Sequence, residues 1–550
     1  MELLIALVIQ CLSLLILFST TSLSLNPHHN IPRPRPLSSS SVSDSTAAYV
    51  TTGYYRQTLD HFNYAPQSYA TFSQRYMVNS QYWGGAQSNF PIFAYLGAEI
   101  AIDNDITNAV FLLDVANRFN ALLVYIEHRF YGESVPFGTQ ADALKNETLR
   151  GYFNSAQALA DYAEVLIYIK NAYRAQNSPI VVVGGSYGGM LAAWFRLKYP
   201  HIALGALASS APLLYFDDIT PQNGYYDVVT KDFRSVSESC VETIKESWSK
   251  ISEYANQTNG GLYNLSRKFN LCKNLTSPQE LTYYLHKMYA DAAQYDNPPY
   301  YPVKRVCGGI DGAPQGSDIL DRIHAGVVAY NNGVKSCYEI SGLNTTASPG
   351  EGNINYGYAW QRCSEMVMPL AQGNDSMFEP FPFNLQKYSQ DCIDTYGISP
   401  RPHWVTTYYG GHVWSSHSFP RKTFSFLFLD NNTCLVTLTG EGRAEGKPAY
   451  LDCLIISVQT KKDFNLVLKD FGSNIIFSNG LRDPYSIGGV LKNISDTLVA
   501  VYTQNGAHVL DLFGEYASPP IWLTEQRETE VKIIQSWINK YYADLQGLKK

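Results

Sequence analysis

Short apolar runs recur along the first part of the chain, each ending in a polar, glycine-bearing turn. "FPIFAYLGAE", "NALLVYIEHRFYGES", "PIVVVGG" and "LGALASSAP" are of this kind. Runs of that length without polar alternation suit strands buried on both faces of a sheet. Between them stand "NAVFLLDVANRF", "NSAQALADYAEVLIYIKNAY" and "GMLAAWFRLKYP", whose apolar residues recur every third or fourth position. That period predicts helices. Strands alternating with helices predict a parallel sheet covered on both sides, an α/β architecture, with order beginning near Tyr54.

From 215 to 402 the texture changes: strand runs vanish, helical patterns rich in Tyr and Trp take over, and most of the cysteines appear. This segment reads as a helical cap inserted into a core formed by 49–214 and 463–550. The core resumes with "SNIIFSNG", "DTLVAVYTQNG" and the closing helix "TEQRETEVKIIQSWINKYYADL". Between cap and core, residues 413–462 show no clear helical or strand period and stand out as an atypical insertion. No internal repeat is found.

The N-terminus predicts a removable secretory signal over 1–25. The apolar block Leu3–Phe18 precedes the small polar residues "STTSLSL", although Glu2 stands where a positive charge is usual. The block is short for a membrane span. The Pro/Ser-rich stretch over 26–48 reads as a linker, and no later run is long enough to span, so no membrane association is expected once the signal is removed.

Composition narrows the class. The 550 residues carry a net charge of −7 without a Lys/Arg-rich run, which argues against nucleic acid as a partner. No dinucleotide fingerprint and no Cys/His spacing for zinc is present, so no cofactor and no metal are expected. There are nine cysteines; setting aside Cys11 leaves an even number, all from Cys240 onward. Sequons begin at Asn146, Asn256, Asn264, Asn274, Asn344, Asn374, Asn431 and Asn493. Together these point to disulfides and glycosylation in the secretory pathway, with an extracellular or a vacuolar/lysosomal destination. Whether the chain forms a homodimer is left open.

The chemistry centres on Gly184-Gly185-Ser186-Tyr187-Gly188, a G-x-S-x-G between an apolar strand and a helix. Such an elbow holds a serine nucleophile above the sheet edge, with glycines where strand and helix cross closely. A Ser hydroxyl needs a base, and the base an orienting carboxylate. In an open parallel sheet these gather past the carboxyl ends of strands. Asp483 follows "IIFSNG" and His508 follows "LVAVYTQNG", in the order Ser…Asp…His expected of an α/β-hydrolase. Asp496 precedes its strand, at the wrong end, and Asp511 sits three residues past His508, where it reads as a loop stiffener. The oxyanion hole is expected from the backbone N–H of Tyr187 and one from Gly97 or Ala98.

"EHRFYGESVPFG", "GGSYGGMLAAWFRLKYPH", "MFEPFPFNLQ", "FSNGLRDPYS" and "DTLVAVYTQNGAHVLDL" resemble the Pro-X carboxypeptidase and dipeptidyl peptidase II family of serine peptidases. The resemblance runs from about Tyr54 to the C-terminus, broken by the insertion. It implies an α/β-hydrolase fold with a helical cap domain inserted in the second half, and an exopeptidase that cleaves peptides with proline at the cleavage position. It assigns Ser186, Asp483 and His508 as the triad and puts Glu99 and Tyr485 at the active-site edge, with Glu127, His128 and Arg129 lining or bracing it. It also implies the pairs Cys240–Cys307, Cys272–Cys337 and Cys363–Cys392. A further family bridge falls at Gln222 and near Ala371, so both its cysteines are absent here. Cys434 and Cys453 would be left to staple the insertion.

The departures bear on direction. Carboxypeptidase members carry a second His after the catalytic one and an Arg five residues beyond it; here those positions are Val509 and Phe513. The usual Trp after Asp-Pro is Tyr485. "EMVMP" resembles the carboxypeptidase branch, so a Pro-X carboxypeptidase is the leading expectation and an aminodipeptidase the alternative. An esterase or lipase on the same fold, or a catalytically inert secreted binding protein, are the readings from outside the family. The insertion Val413–Lys462 reads as a translated retained intron, or as a genuine lid. A histidine paired with a carboxylate is drawn toward its charged form, useless as a base in an acid compartment; burial under the cap is expected to offset this.

Overall fold

The computed structural model describes residues 49–63, 69–340, 354–410, 425–429, 433–437, 464–513 and 518–547. The signal, the linker to residue 48, Cys453, Asn344 and Asn431 lie outside the described residues, and with them any Cys434–Cys453 bridge.

The sheet has eight strands. In chain order they are β1 (Val50–Thr58), β2 (Thr71–Asn79), β3 (Ile92–Leu96), β4 (Leu122–Ile126), β5 (Ile180–Gly185), β6 (Gly205–Ser209), and then β9 (Ile475–Gly480) and β10 (Leu498–Thr503). Two further strands, β7 (Ser425–Leu429) and β8 (Thr433–Thr437), pair antiparallel as a separate hairpin inside the insertion. That hairpin corrects the reading of 413–462 as lacking any strand. The main order is β1-β2-β4-β3-β5-β6-β9-β10, with β2 antiparallel to both its neighbours and the rest parallel. This is the α/β-hydrolase fold. The first described strand, β1, starts at Val50, ahead of Tyr54; four of its nine residues are exposed, so it lacks the apolar run that marks a central strand.

The central strands are buried on both faces, and their alternate residues enter two separate cores. Ile92, Ala94, Leu96, Val182 and Ala208 point into one, while Phe93, Tyr95, Val181, Val183 and Leu207 point into the other. Helices α1 (Val110–Phe119) and α9 (Ile521–Gly547) cover the second face; α2 (Ser155–Ala172) and α3 (Tyr187–Lys198) cover the first.

Between β6 and the insertion the chain is helical. The helices used below are α4 (Gly224–Val236), α5 (Glu238–Ala255), α6 (Pro278–Gln294), α7 (Ile354–Ser364) and α8 (Leu385–Tyr396). The apolar faces of the first three are continuous with the first core, in one cluster that includes Phe233, Trp248 and Leu285 beside Trp194. Helices α4, α5 and α6 are thus packed as part of the first core, whereas α8 buries Tyr388 and Cys392 in a small cluster of its own with Val367. Disulfides tie Cys240 to Cys307, Cys272 to Cys337 and Cys363 to Cys392. At the absent fourth bridge the Ala371 N–H donates to the Gln222 carbonyl at 2.8 Å, so a backbone bond joins the two segments there.

Candidate active site

Ser186 stands between β5 and α3 with φ 59° and ψ −123°, a conformation strained for any side chain but glycine's. The close crossing explains the flanking glycines. A Cβ at Gly184 would lie 2.1 Å from the Gly188 carbonyl oxygen, and one at Gly188 would lie 2.9 Å from that of Leu96. The Ser186 N–H is anchored to the Ser209 carbonyl at 2.9 Å, while its Oγ is buried without a hydrogen-bond partner.

His508 and Asp483 meet past the ends of β10 and β9. His508 Nδ1 lies 2.6 Å from Asp483 Oδ2, and both side chains are buried. The other Asp483 oxygen accepts the Tyr485 N–H at 3.0 Å. With Nδ1–H donating to the carboxylate, the lone pair sits on Nε2, and that atom too is buried without a partner. Asp511 takes no part in this pairing: its Oδ1 accepts the Ser209 hydroxyl at 2.5 Å. Asp496 is exposed.

The backbone donors sort themselves. Tyr187 opens α3, where first-turn N–H groups have no helical acceptor. Gly97 is corrected: its N–H donates to the Ile126 carbonyl at 2.9 Å within the sheet, which leaves Ala98 as that loop's donor. The Tyr187 ring is clamped from behind. Its hydroxyl lies 3.0 Å from His128 Nε2 and receives Gln361 Nε2 at 2.8 Å, while Gln361 Oε1 accepts Tyr131 at 2.7 Å. His128 Nδ1 is 2.6 Å from the Arg129 carbonyl, so Nδ1 carries the proton and Nε2 accepts from Tyr187. Burial pushes the His128 imidazole down to about 4, which keeps that lone pair available in acid. Glu127 and Arg129 brace rather than line the site: Glu127 pairs with Arg75 and Arg129 with Asp161, each at 2.6 Å.

Aromatic rings wall the site. The rings of Tyr295 and Tyr485 lie 5.8 and 5.9 Å from the His508 imidazole, Tyr225 lies 4.8 Å from Tyr485, and Tyr358 lies 6.2 Å from Tyr187. Glu99 is buried close enough for its charge to raise the phenols of Tyr295, Tyr358 and Tyr485, each already raised chiefly by burial. Val509 is itself at positive φ (50°), packed against Gly185, with its N–H on the Ser210 hydroxyl at 2.8 Å. It is a buried apolar contact. Arg527 from α9 supplies a guanidinium to this loop, donating to the Asp511, Leu510 and Phe513 carbonyls at 2.7, 3.2 and 3.2 Å.

Gln361, Tyr358, Tyr295, Gln294 and Arg527 were not singled out from the sequence. They lie on helices or their ends, where no strand-end turn marks them. The sequon residues Asn146, Asn256, Asn264, Asn274, Asn374 and Asn493 are exposed. Among the described residues no group of His, Cys, Asp and Glu could hold a metal ion, and no helix is long and apolar enough to cross a membrane.

The family model for serine carboxypeptidase S28 matches residues 57–412 and 454–530. The chain belongs to the serine carboxypeptidase S28 family. It is a serine peptidase. The S28 match resumes at 454, so the unmatched segment is shorter than the 413–462 read from sequence. Relatives agree along nearly the whole length. The chain is 37% identical over 510 residues to the lysosomal Pro-X carboxypeptidase of Mus musculus, covering 90% of each. It is 35% identical over 557 residues to that of Bos taurus, covering 98% of each. It is 30% identical over 519 residues to prolyl carboxy peptidase like protein 5 of Caenorhabditis elegans, covering 89% of this chain and 90% of that one.

Proposed function

We propose that this S28 peptidase removes the residue that follows a proline at the C-terminus of a peptide, using Ser186, Asp483 and His508. One observation carries the reading: Ser186 Oγ and His508 Nε2 are buried without hydrogen-bond partners, in a site walled by aromatic rings. Other buried polar atoms are also left open, but these two belong to a nucleophile and a base beside Asp483, where an open lone pair can meet a reacting atom. Flat aromatic faces suit a pyrrolidine ring, and the names of the mammalian relatives point the same way.

In this mechanism Ser186 Oγ attacks the carbonyl carbon of the proline residue while its proton passes to His508 Nε2. Asp483 holds the imidazole and offsets its developing charge. The N–H groups of Tyr187 and Ala98 stabilise the oxyanion. The C–N bond breaks as His508 gives the proton to the leaving amine, leaving a prolyl ester on Ser186. Water, deprotonated by His508, then hydrolyses the ester. The secretory route, with signal removal over 1–25 and delivery to a lysosome, a vacuole or the exterior, is part of this proposal, as is the cap over 215–402 as the roof of the peptide site.

A second reading, an aminodipeptidase, is favoured by Val509 and Phe513, which place no cation where a carboxylate reader is expected, and by the nearby Glu99, whose charge suits an ammonium group. An N-blocked peptide ending in Pro-Phe and a free-amine Xaa-Pro-arylamide separate the two. Release of Phe from the blocked peptide supports the carboxypeptidase, and cleavage of the arylamide alone replaces it with the aminodipeptidase. Ser186→Ala should abolish both turnover and fluorophosphonate labelling, and Asp483→Asn should lower kcat by about 10⁴. Full activity in either variant would overturn the triad.

A further inference from the structure

The chain that leaves α6 touches both catalytic turns at once. The Gln294 carbonyl accepts the His508 backbone N–H at 3.0 Å. Tyr295, next in sequence, sets its ring edge-on to the His508 imidazole. Asp296 Oδ2 pairs with Arg482 Nη1 at 2.7 Å, and Arg482 immediately precedes Asp483. The Arg482 backbone N–H in turn donates to the Gly506 carbonyl at 3.0 Å, two residues before His508. Three consecutive cap residues thus hold the base through its backbone, the base through its ring, and the acid through its neighbour.

The segment is itself well held. Gln294 is fully buried, and its Oε1 accepts the Tyr225 hydroxyl at 3.2 Å, whose ring packs on Tyr485. Asp296 is 2% exposed, and its second oxygen accepts the Val303 N–H at 3.1 Å. Asp232 on α4 also feels Arg482, but burial raises its carboxyl to about 8; burial raises Asp296 as well, opposed by Arg482 and the Val303 N–H, and it is Asp296 that the Arg482 guanidinium contacts. A buried ion pair is poor evidence of stabilisation, because desolvation offsets most of the attraction. Its worth lies in orientation, and this pair is placed where the orientation of Asp483 and His508 is decided.

We propose that Gln294-Tyr295-Asp296 is a latch through which the cap positions the catalytic acid and base, with Asp296 and Arg482 as positioning residues. The proposal rests on the triad reading above. Asp296 and Arg482 act on kcat, because they bear on Asp483 and His508 only through the chain beside them.

Fluorophosphonate labelling of Ser186 in the full-length chain tests this independently of any peptide, since it needs only an activated nucleophile. Asp296→Ala should lower the second-order labelling rate about tenfold or more, the scale expected when reacting groups are displaced by a fraction of an ångström to an ångström. Asp296→Asn keeps one acceptor oxygen, for Arg482 or for Val303 but not both, and should fall less than Asp296→Ala, and Arg482→Lys should recover part of the loss seen in Arg482→Ala. For a small acetate ester the same variants should lose kcat with KM unchanged. Lys268→Ala removes cap ion pairs to Asp318 and Asp321 and should label at the wild-type rate. Asp296→Ala labelling normally while folded would overturn the latch, as would an equal fall in Lys268→Ala, the sign of general loosening. If Asp296→Ala fails to fold, Asp296→Asn and Arg482→Lys decide by the same measure. Failure of the wild type to label would overturn the triad reading itself, and the latch with it.

Discussion

The Tyr187 hydroxyl lies 3.0 Å from His128 Nε2, one residue past the nucleophile. A residue whose backbone N–H faces the reaction thus has its side chain locked into a separate polar network with Gln361 and Tyr131. The strained Ser186 is held by its N–H on the Ser209 carbonyl and by the anchored Tyr187 that follows it.

Tyr187→Phe keeps the backbone donor but leaves the His128 lone pair and a Gln361 N–H unsatisfied in the interior. The cost should be about 1–3 kcal/mol of stability, read from urea unfolding. A smaller fall in kcat should accompany it as the elbow gains freedom. Unchanged stability would mean that the clamp is slack.

Glu530 on α9 reports on pH. It is fully buried and accepts the Ser478 hydroxyl at 2.7 Å; burial first, and then the nearby Asp511, raises its carboxyl well above the usual range against the pull of Ser478 and Arg527. Asp511 is raised as well, chiefly by burial. A carboxyl whose folded pKa exceeds its unfolded value binds its proton more tightly in the native state. Its stabilisation is fully present below the unfolded value of 4.5 and is lost as pH rises through the higher folded value. Thermal melts from about pH 5 to about pH 9 should therefore show the wild-type Tm falling toward the alkaline end. Glu530→Gln, neutral throughout, should fall less and end above the wild type. Parallel curves would refute this account of the pair.

The Cys363–Cys392 disulfide ties α7 to α8 across 29 residues. Replacing both cysteines with Ser should lower stability by about 3 kcal/mol. Because α7 carries Gln361 and Tyr358, activity should fall further than it does for a double replacement of Cys272 and Cys337, which lie away from the aromatic wall. Equal losses would show that α7 is held by packing alone.

Residues 413–453 interrupt the family match. Deleting them should leave a chain that folds and labels with fluorophosphonate at the wild-type rate or faster, since the family match lies on either side of them and not over them. Loss of folding on deletion would make the segment an integral part of this protein.

The elements that could be read in advance are those whose signal is local. Runs such as "IVVVGG" and "IIFSNG" are buried on both faces, so they are apolar throughout and announce both the strand and the turn that ends it. Ser186, Asp483 and His508 follow such runs, and for that reason a linear reading could find them. β1 escaped because nearly half its side chains meet water, and the insertion hairpin forms a two-stranded sheet of its own, apart from the main one.

What the tertiary structure decided is everything that depends on which distant segments meet. Sequence alone offered Gly97 and Ala98 as equal donors; the register of β3 against β4 commits the Gly97 N–H to Ile126. Tyr187 meets Gln361 across 174 positions, and the His508 N–H meets Gln294 at the end of α6. Helical periodicity tells which face of α6 or α7 is apolar, but not what that face will touch. A hydrogen bond between remote segments is specified only when both are packed against a third, here the carboxyl edge of the sheet. The chemistry of the site was therefore written in strand ends, and its alignment was settled by the cap folded over them.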